Sequence, residues 1–408
     1  MASQPLRVTM IGRRVAPAHG PGGLETAVRE QVTEIARAGA QVDLWTEVPR
    51  DPRRRVAAEQ VFAGRARLHW VPRGPLPLGE ARGTVVLDRV TNYPFWARRV
   101  SRAIEAPGDV VHVHGLAGLG VAEQRAAGKL GAPLVLTAQG MEEFLGAGLK
   151  HLMYAPFRAG MRRIAAHSDR VVVTDRSLIP VVTQTLEISE AKTVVIPNAI
   201  HPQAGPEVTD VAAAAAMLRQ AGHGPCGVTF VSIGRLEANK GFEVLVAALA
   251  AAGADLGDWR WILIGDGPRR ATIESAIDDA GIRGRCVLTG RVTDAVKHGL
   301  LATADWFVHP TLFEGSSLVT LEAMAHGLPV LGSRAGGLPD KIEVGRSGLL
   351  VEPGSAPALA AGLKASCDAP GAQFGARGRA IVEERFSWDR IGPAFLDLYG
   401  ELAGQDLG

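Results

Sequence analysis

Residues 309–334 read HPTLFEGSSLVTLEAMAHGLPVLGSR, and they follow an apolar run, Trp306-Phe307-Val308. A short apolar segment that meets Pro310 and Gly315 reads as a buried strand running into a loop. Beyond the loop, Leu318, Leu321, Ala325 and Leu328 recur at helical spacing, and Gly327 with Pro329 stops the pattern. Strand, loop and helix in this order predict an α/β unit. The amides near Ser316, Ser317 and Leu318 then lie at a helix N-terminus, where first-turn N–H groups lack internal partners and the helix dipole favours an anion such as phosphate. Glu314 precedes that helix and Glu322 lies on it, eight positions later. Carboxylates beside an anion site suit the neutral hydroxyls of a sugar and a ribose. The same residues also suit a capped helix with solvated acids, and at this point both readings stand.

The stretch resembles the Glu-x7-Glu motif of the family 4 retaining glycosyltransferases, a group 1 family with the GT-B fold. The likeness rests on Pro310, Glu314-Gly315, Leu321-Glu322-Ala323-Met324-Ala325 and Gly327-x-Pro329-Val330. It implies that Glu314 lies against the donor sugar, that Glu322 binds the nucleotide ribose, and that Gly315, Ser316, Ser317 and Leu318 line the donor site. Ser316 departs from the aromatic residue common there, which leaves the sugar preference open. The implied architecture is two Rossmann-like parallel-sheet domains facing across a cleft, with a C-terminal helix crossing back to the first.

Working outward, 408 residues with 47% hydrophobic and 21% charged content suit a soluble protein of two or three domains. No run approaches ~18 continuous apolar residues, and the start, MASQPLR, carries no apolar signal region, so a cytoplasmic location is expected, with peripheral contact at the inner membrane surface left open. Cys226, Cys286 and Cys367 stand far apart and read as buried thiols. No Asp-x-Asp occurs, so no divalent-metal site and no metal cofactor is expected. Residues 1–200 carry 26 basic against 18 acidic residues, a net +8, and the remainder 18 against 24, a net −6. The first half is therefore the expected docking surface for something anionic or membrane-bound, while nucleic acid is not an expected partner.

Along the chain, Arg7–Ile11 reads as a buried strand. The glycine-rich loop from Gly12 to Gly23 follows, and then a helix with Leu24, Val28, Val32 and Ile35 on one face. GxGxxG is lacking, so a dinucleotide site has little support. The resemblance places Gly22 and Gly23 near the donor phosphate. Val42–Trp45 and Leu68–Val71 are further strands; residues 50–67 read as variable loop or helix, with the arginine run 50–55 on a solvated loop. Pro72 to Gly83 reads as an exposed insertion. Asp109–His114 is a strand whose last residue before Gly115 faces the ligand side of a parallel sheet. His112 points to the same face one pleat earlier. For both histidines a hydrogen-bonded core role remains an alternative, and the resemblance makes His114 the sugar-contacting one. Gln139 stands where the family commonly has histidine.

A basic helix from about Lys150 to His167 and strands near 168–174 and 193–196 lead to Pro197-Asn198 and a Pro/Gly-rich connection. The resulting domains are 1–200, joined by a returning helix at about 390–408, and 201–389. In the second, Val228–Ile233 precedes Gly234-Arg235-Leu236-x2-Asn239-Lys240-Gly241 and a helix with Phe242, Leu245, Val246 and Leu249 on one face. Two cations beside a helix start suit a diphosphate, since a close charge pair is worth about 4 kcal/mol at an effective dielectric of 20 before desolvation. This run also resembles the family's diphosphate-binding motif. The resemblance further sets Arg291 and Val292, after Gly290, against the nucleobase.

The expected function is metal-independent retaining transfer of a hexose-type sugar from a nucleotide-diphosphate sugar to an acceptor hydroxyl. His114, Glu314, Arg235 and Lys240 are its candidate catalytic residues. The acceptor, whether a sugar, a lipid-linked group or a natural product, stays open, as does the nucleobase. The alternatives are a nucleotide-sugar epimerase of the same fold and a non-catalytic nucleotide-sugar-binding protein.

Overall fold

The computed structural model describes residues 4–20, 22–76, 85–138, 152–202 and 208–405. Gln139, most of the 72–83 insertion and the first part of the basic helix expected from Lys150 lie outside them. The chain divides into two units. Unit 1 comprises 1–174, 178–196 and 389–408, and unit 2 comprises 175–177 and 197–388.

In unit 1 the strands are β1 (Arg7–Ile11), β2 (Gln41–Glu47), β3 (Ala66–Val71), β4 (Val110–His114), β5 (Leu134–Thr137), β6 (Arg170–Val173) and β7 (Thr193–Val195). They form a parallel sheet in the order β3-β2-β1-β4-β5-β6-β7. Val113, Leu134, Leu136 and Val171 are fully buried against Met161 and Ile164 of the helix Ala155–His167. Burial on both faces explains why these strands read as apolar runs without alternation. The helix Trp388–Ala403 contributes Phe395 and Tyr399 to this unit, packed on His112.

Residues 52–62 form a helix, with Asp51 Oδ1 accepting from Arg53 N at 2.9 Å and Pro52 in the first turn. The arginine run therefore sits on a helix start and not on a loop, because an acidic cap followed by proline is a strong local nucleus. Of the three free cysteines only Cys286 is buried; Cys226 is half-buried, and Cys367, in the last turn of the helix Ala356–Asp368, is exposed.

Unit 2 carries β8 (Val228–Ile233), β9 (Trp259–Ile264), β10 (Cys286–Gly290), β11 (Trp306–His309), β12 (Val330–Ser333) and β13 (Gly348–Val351), in the order β10-β9-β8-β11-β12-β13. Successive side chains enter opposite layers. Phe230, Trp261 and Leu263 join one core with Phe242 and Leu245, while Val231, Ile262 and Phe307 join the other with Leu321 and Met324.

In both sheets the order reverses once: between β1 and β4 in unit 1, and between β8 and β11 in unit 2. Loops leaving the carboxyl ends of such neighbours diverge and open a crevice, where ligands of open α/β sheets bind. The loops so placed that follow β1, β8 and β11 carry Gly22, Arg235, Lys240 and Glu314, whereas Arg291 and Val292 follow β10.

Candidate functional site

In unit 2 the loop after β8 is stitched to the loop after β11 through Asn239. Its carbonyl accepts from Leu312 N at 2.8 Å and from Thr311 Oγ1 at 3.0 Å, and its side-chain amide donates to Phe313 O at 3.4 Å. Gly241 makes this approach possible. Its φ is +68°, and a Cβ there would stand 2.1 Å from Pro310 O.

The stitching delivers Lys240 Nζ to within 2.6 Å of Glu314 Oε2. The same oxygen accepts from His309 Nε2 at 2.9 Å. His309 is fully buried at the end of β11, with its ring stacked on Phe307 at 5.8 Å. Because an ionised carboxylate only accepts, His309 carries its proton on Nε2. Burial pushes the Glu314 carboxyl up, but the His309 hydrogen bond and the charge of Lys240 outweigh it and hold the pKa at about 2. Glu314 is thus a fixed acceptor whose charge does not change near neutrality.

A stability consequence follows from that depressed pKa. Relative to its ordinary 4.5, the ionised Glu314 contributes stability that is fully present above about pH 4.5 and is lost as pH falls toward about 2. Glu314→Gln should lower stability by about 1–3 kcal/mol at pH 7. The gap in apparent unfolding midpoint between the variant and the parent chain should shrink below pH 4.5. A gap that stays constant from pH 7 to pH 3.5 would rule this out.

Behind Glu314 the chain doubles back at Gly336, whose φ is +52° and whose Cβ, if present, would lie 1.8 Å from Glu314 O. Gly337 N donates to Gly315 O at 3.2 Å. This turn is pinned by Ser177 Oγ on Gly336 O at 2.7 Å and by Lys341 Nζ on Gly337 O at 3.2 Å. Lys341 in turn pairs with Asp175, and both side chains are completely buried.

The helix Leu318–Ala325 starts at Ser317, whose hydroxyl caps Thr320 N at 3.4 Å and accepts from Thr320 Oγ1 at 2.8 Å. Gly315 and Ser316 lie half-buried just ahead of it, and Leu318 is its first residue. Glu322 pairs with Lys297 Nζ at 3.3 Å. Arg235 stands on the surface, its side chain 75% exposed and its guanidinium 2.8 Å from Glu237. Arg291 is exposed, and Val292 packs on the core layer beneath.

In unit 1, His114 ends β4. Its ring stacks on His112 at 4.9 Å and lies against Gly12, the first residue of the glycine-rich loop. His112 bonds Tyr399 Oη through Nδ1 and Thr137 Oγ1 through Nε2 at 2.7 Å, and burial drives its pKa well below the ordinary value. It is a neutral core histidine. Gly22 caps the helix Gly23–Arg37 in an extended conformation with no side-chain cap, and Gly23 is exposed with open space about its Cα. The first-turn amides are therefore left to a ligand or to solvent.

The structure thus brings Lys240 to Glu314, and His114 to the Gly12–Gly23 loop, while Arg235 pairs elsewhere. Sequence reasoning missed Asn239, His309 and Lys297. The one signal was His309 itself, a polar residue ending an apolar strand at the ligand side of the sheet.

Comparison with known proteins bears on the family and the fold. Residues 21–204 match the profile described as Glycosyltransferase Family 4, and residues 227–368 match that of Glycosyl transferases group 1. The chain is 27% identical over 364 residues to the 2-deoxystreptamine glucosyltransferase of Streptomyces kanamyceticus, covering 83% of this chain and 89% of that one. It is 27% identical over 429 residues to the D-inositol 3-phosphate glycosyltransferase of Pseudarthrobacter chlorophenolicus, covering 98% and 97%. Among solved structures, sucrose-phosphate synthase from Thermosynechococcus elongatus superposes with a TM-score of 0.77 at 22% identity, over 98% of this chain and 99% of that one. Anabaena Alr3699/HepE in complex with UDP superposes at 0.74 and 18% identity, over 97% and 100%.

Proposed function

Because this chain belongs to the family 4, group 1 glycosyltransferases and is a sugar transferase, we propose that its donor is a nucleotide-diphosphate sugar and that transfer of a hexose-type group proceeds with retention and without a metal. The observation that carries this is the Lys240–Glu314–His309 cluster at the β8/β11 reversal, beside the Ser317-capped helix.

Glu314, kept ionised, accepts hydrogen bonds from the donor sugar's hydroxyls and so orients its anomeric carbon. Locked between Lys240 and His309 and only weakly basic, it is a poor nucleophile, so no covalent sugar–enzyme intermediate is assigned to it. Glu322 receives the ribose. Lys240 and Arg235, together with the amides of Ser317 and Leu318, stabilise the negative charge that grows on the departing diphosphate. The acceptor oxygen approaches from the side the diphosphate leaves. A phosphate oxygen takes the acceptor's proton as the glycosidic bond forms. Arg291 and Val292 flank the base. On the same reading the enzyme works in the cytoplasm, at most in peripheral contact with a membrane surface.

A panel of UDP-, GDP- and ADP-sugars, each incubated with sugar, natural-product and lipid-linked acceptors, tests the donor class by mass spectrometry. The anomeric configuration of donor and product, read by NMR, tests retention. Activity should persist in EDTA; abolition by the chelator and rescue by magnesium would remove the metal-free part of the reading, and an inverted product the retaining part.

A further inference from the structure

Glu314 is held by one oxygen only. Both Lys240 Nζ, at 2.6 Å, and His309 Nε2, at 2.9 Å, meet Oε2. A carboxylate oxygen offers two lone pairs, so two donors fill it. Among the described residues Oε1 has no partner, and it does not belong to the enclosed polar atoms. Its lone pairs are therefore the ones open to a ligand's hydroxyls.

The two anchors on Oε2 differ in kind. Lys240 reaches it along a flexible four-carbon stem, and its ammonium carries two further N–H donors. A diphosphate at the capped helix start draws on that ammonium, because a doubly charged group attracts it more strongly than one carboxylate does. His309 cannot follow. It is fully buried at the end of β11 with its ring stacked on Phe307, and Ser232 Oγ, donating to Val308 O at 2.7 Å, ties the strand beside it to β8. Nδ1 is enclosed and has no partner among the described residues, so the ring's polar contacts lie on its Nε2 edge. On that edge Ser317 Oγ, the cap of the following helix, stands 3.4 Å away, and one imidazole thus joins the carboxylate to the helix start. Burial works to raise the Glu314 pKa, and of the groups that oppose it the His309 hydrogen bond acts most strongly, ahead of Lys240.

We infer that His309 is the positioning residue of the donor-sugar site: it fixes Oε2 of Glu314, so that Oε1 accepts from the sugar's hydroxyls, and it keeps that hold when a diphosphate draws Lys240 away. This rests on the glycosyl-transfer reading above. His309 touches neither sugar nor diphosphate and acts through Glu314. Without it, a Glu314 covered by the sugar and sharing Lys240 with the diphosphate takes up a proton at higher pH. A protonated carboxyl donates where it should accept, and the sugar loses its orientation.

The test compares the full-length parent with His309→Leu, His309→Gln and His309→Asn. A glutamine side chain can carry an amide N–H to where Nε2 stands, and an asparagine side chain is too short to do so. The first readout is kcat against pH, with the donor and acceptor that the panel above identifies. From pH 7.5 to pH 5 the ratio of variant to parent kcat should fall about tenfold for His309→Leu and stay constant for His309→Gln. Affinity for the nucleoside diphosphate should stay within about twofold of the parent in every variant, because His309 does not touch it. The second readout needs no turnover. The Glu314 carboxyl carbon, labelled with carbon-13 and assigned as the resonance absent from Glu314→Gln, should titrate at higher pH in His309→Leu and His309→Asn than in the parent and His309→Gln. A constant kcat ratio for His309→Leu, equal behaviour of His309→Gln and His309→Asn, or one titration curve in all four proteins overturns the inference. If His309→Leu does not fold, the contrast between His309→Gln and His309→Asn decides. If the parent transfers no sugar to any acceptor, it is the glycosyl-transfer reading that has failed, whereas sugar transfer with an unchanged ratio sinks the role of His309 alone.

Discussion

Lys240→Ala should lower kcat/KM for sugar transfer by about 10²–10³-fold, roughly 3–4 kcal/mol of transition-state stabilisation. Lys240 is, among the described residues, the lysine that the fold brings against the Glu314 carboxylate, at 2.6 Å, and it is held there by the Asn239 stitch between two loops. Charge on a diphosphate rises as its bond to the sugar breaks, so the loss should fall mainly on kcat, with a smaller rise in KM. Removing the ammonium also takes away one of the two groups that hold the Glu314 carboxylate, leaving the His309 hydrogen bond and loosening the acceptor that orients the sugar. Arg235→Ala should have the smaller effect, since its guanidinium is exposed and already paired with Glu237. Steady-state kinetics on both variants decides this. A loss below tenfold for Lys240→Ala would mean that the leaving group is stabilised elsewhere.

The second large effect is on stability. Lys341→Met removes the ammonium from a completely buried Asp175, and breaking a buried pair from one side costs about 3–5 kcal/mol. For a unit of this size that corresponds to an apparent unfolding midpoint lower by roughly 10 °C. Replacing both partners, as in Asp175→Leu with Lys341→Met, should recover most of the loss, because neither charge then has to be buried. The pair also pins the Gly336–Gly337 turn on which the Glu314 backbone rests, so the single variant should lose transfer activity at temperatures where it is still folded. A fall of under 2 °C, or a double variant no more stable than the single one, would show that the pair contributes nothing.

Neither effect could have been assigned from the sequence in full. Lys240 and Glu314 were each visible, as a cation beside a helix start and an acid before one. Their contact was not, because it joins residues 74 positions apart. His309 stood in plain view at a strand end, yet only the packed loop shows that it shares an oxygen with Lys240. Nothing in the pattern around Lys341 marks it as buried, and its partner Asp175 is 166 positions away. His112 and His114 are two residues apart on one strand, and the strand end pointed to His114 as the ligand-side one while leaving a core role open for both. Tyr399, from the last helix, settles His112 as a core residue.

What the sequence determined by itself is local: strands as apolar runs, helices as apolar stripes, glycine and proline at their ends, and a Glu-x7-Glu stretch specific enough to point to a family. Those properties follow from backbone sterics and from burial along a few consecutive residues, which any reader of the chain can see. Which loops became neighbours was decided only in the tertiary structure. The sheets place β8 beside β11 and β1 beside β4, and hydrogen bonds between strands distant in the chain carry no mark in either strand alone. Charge pairing and burial of ionisable groups both depend on that order, and so had to wait for it.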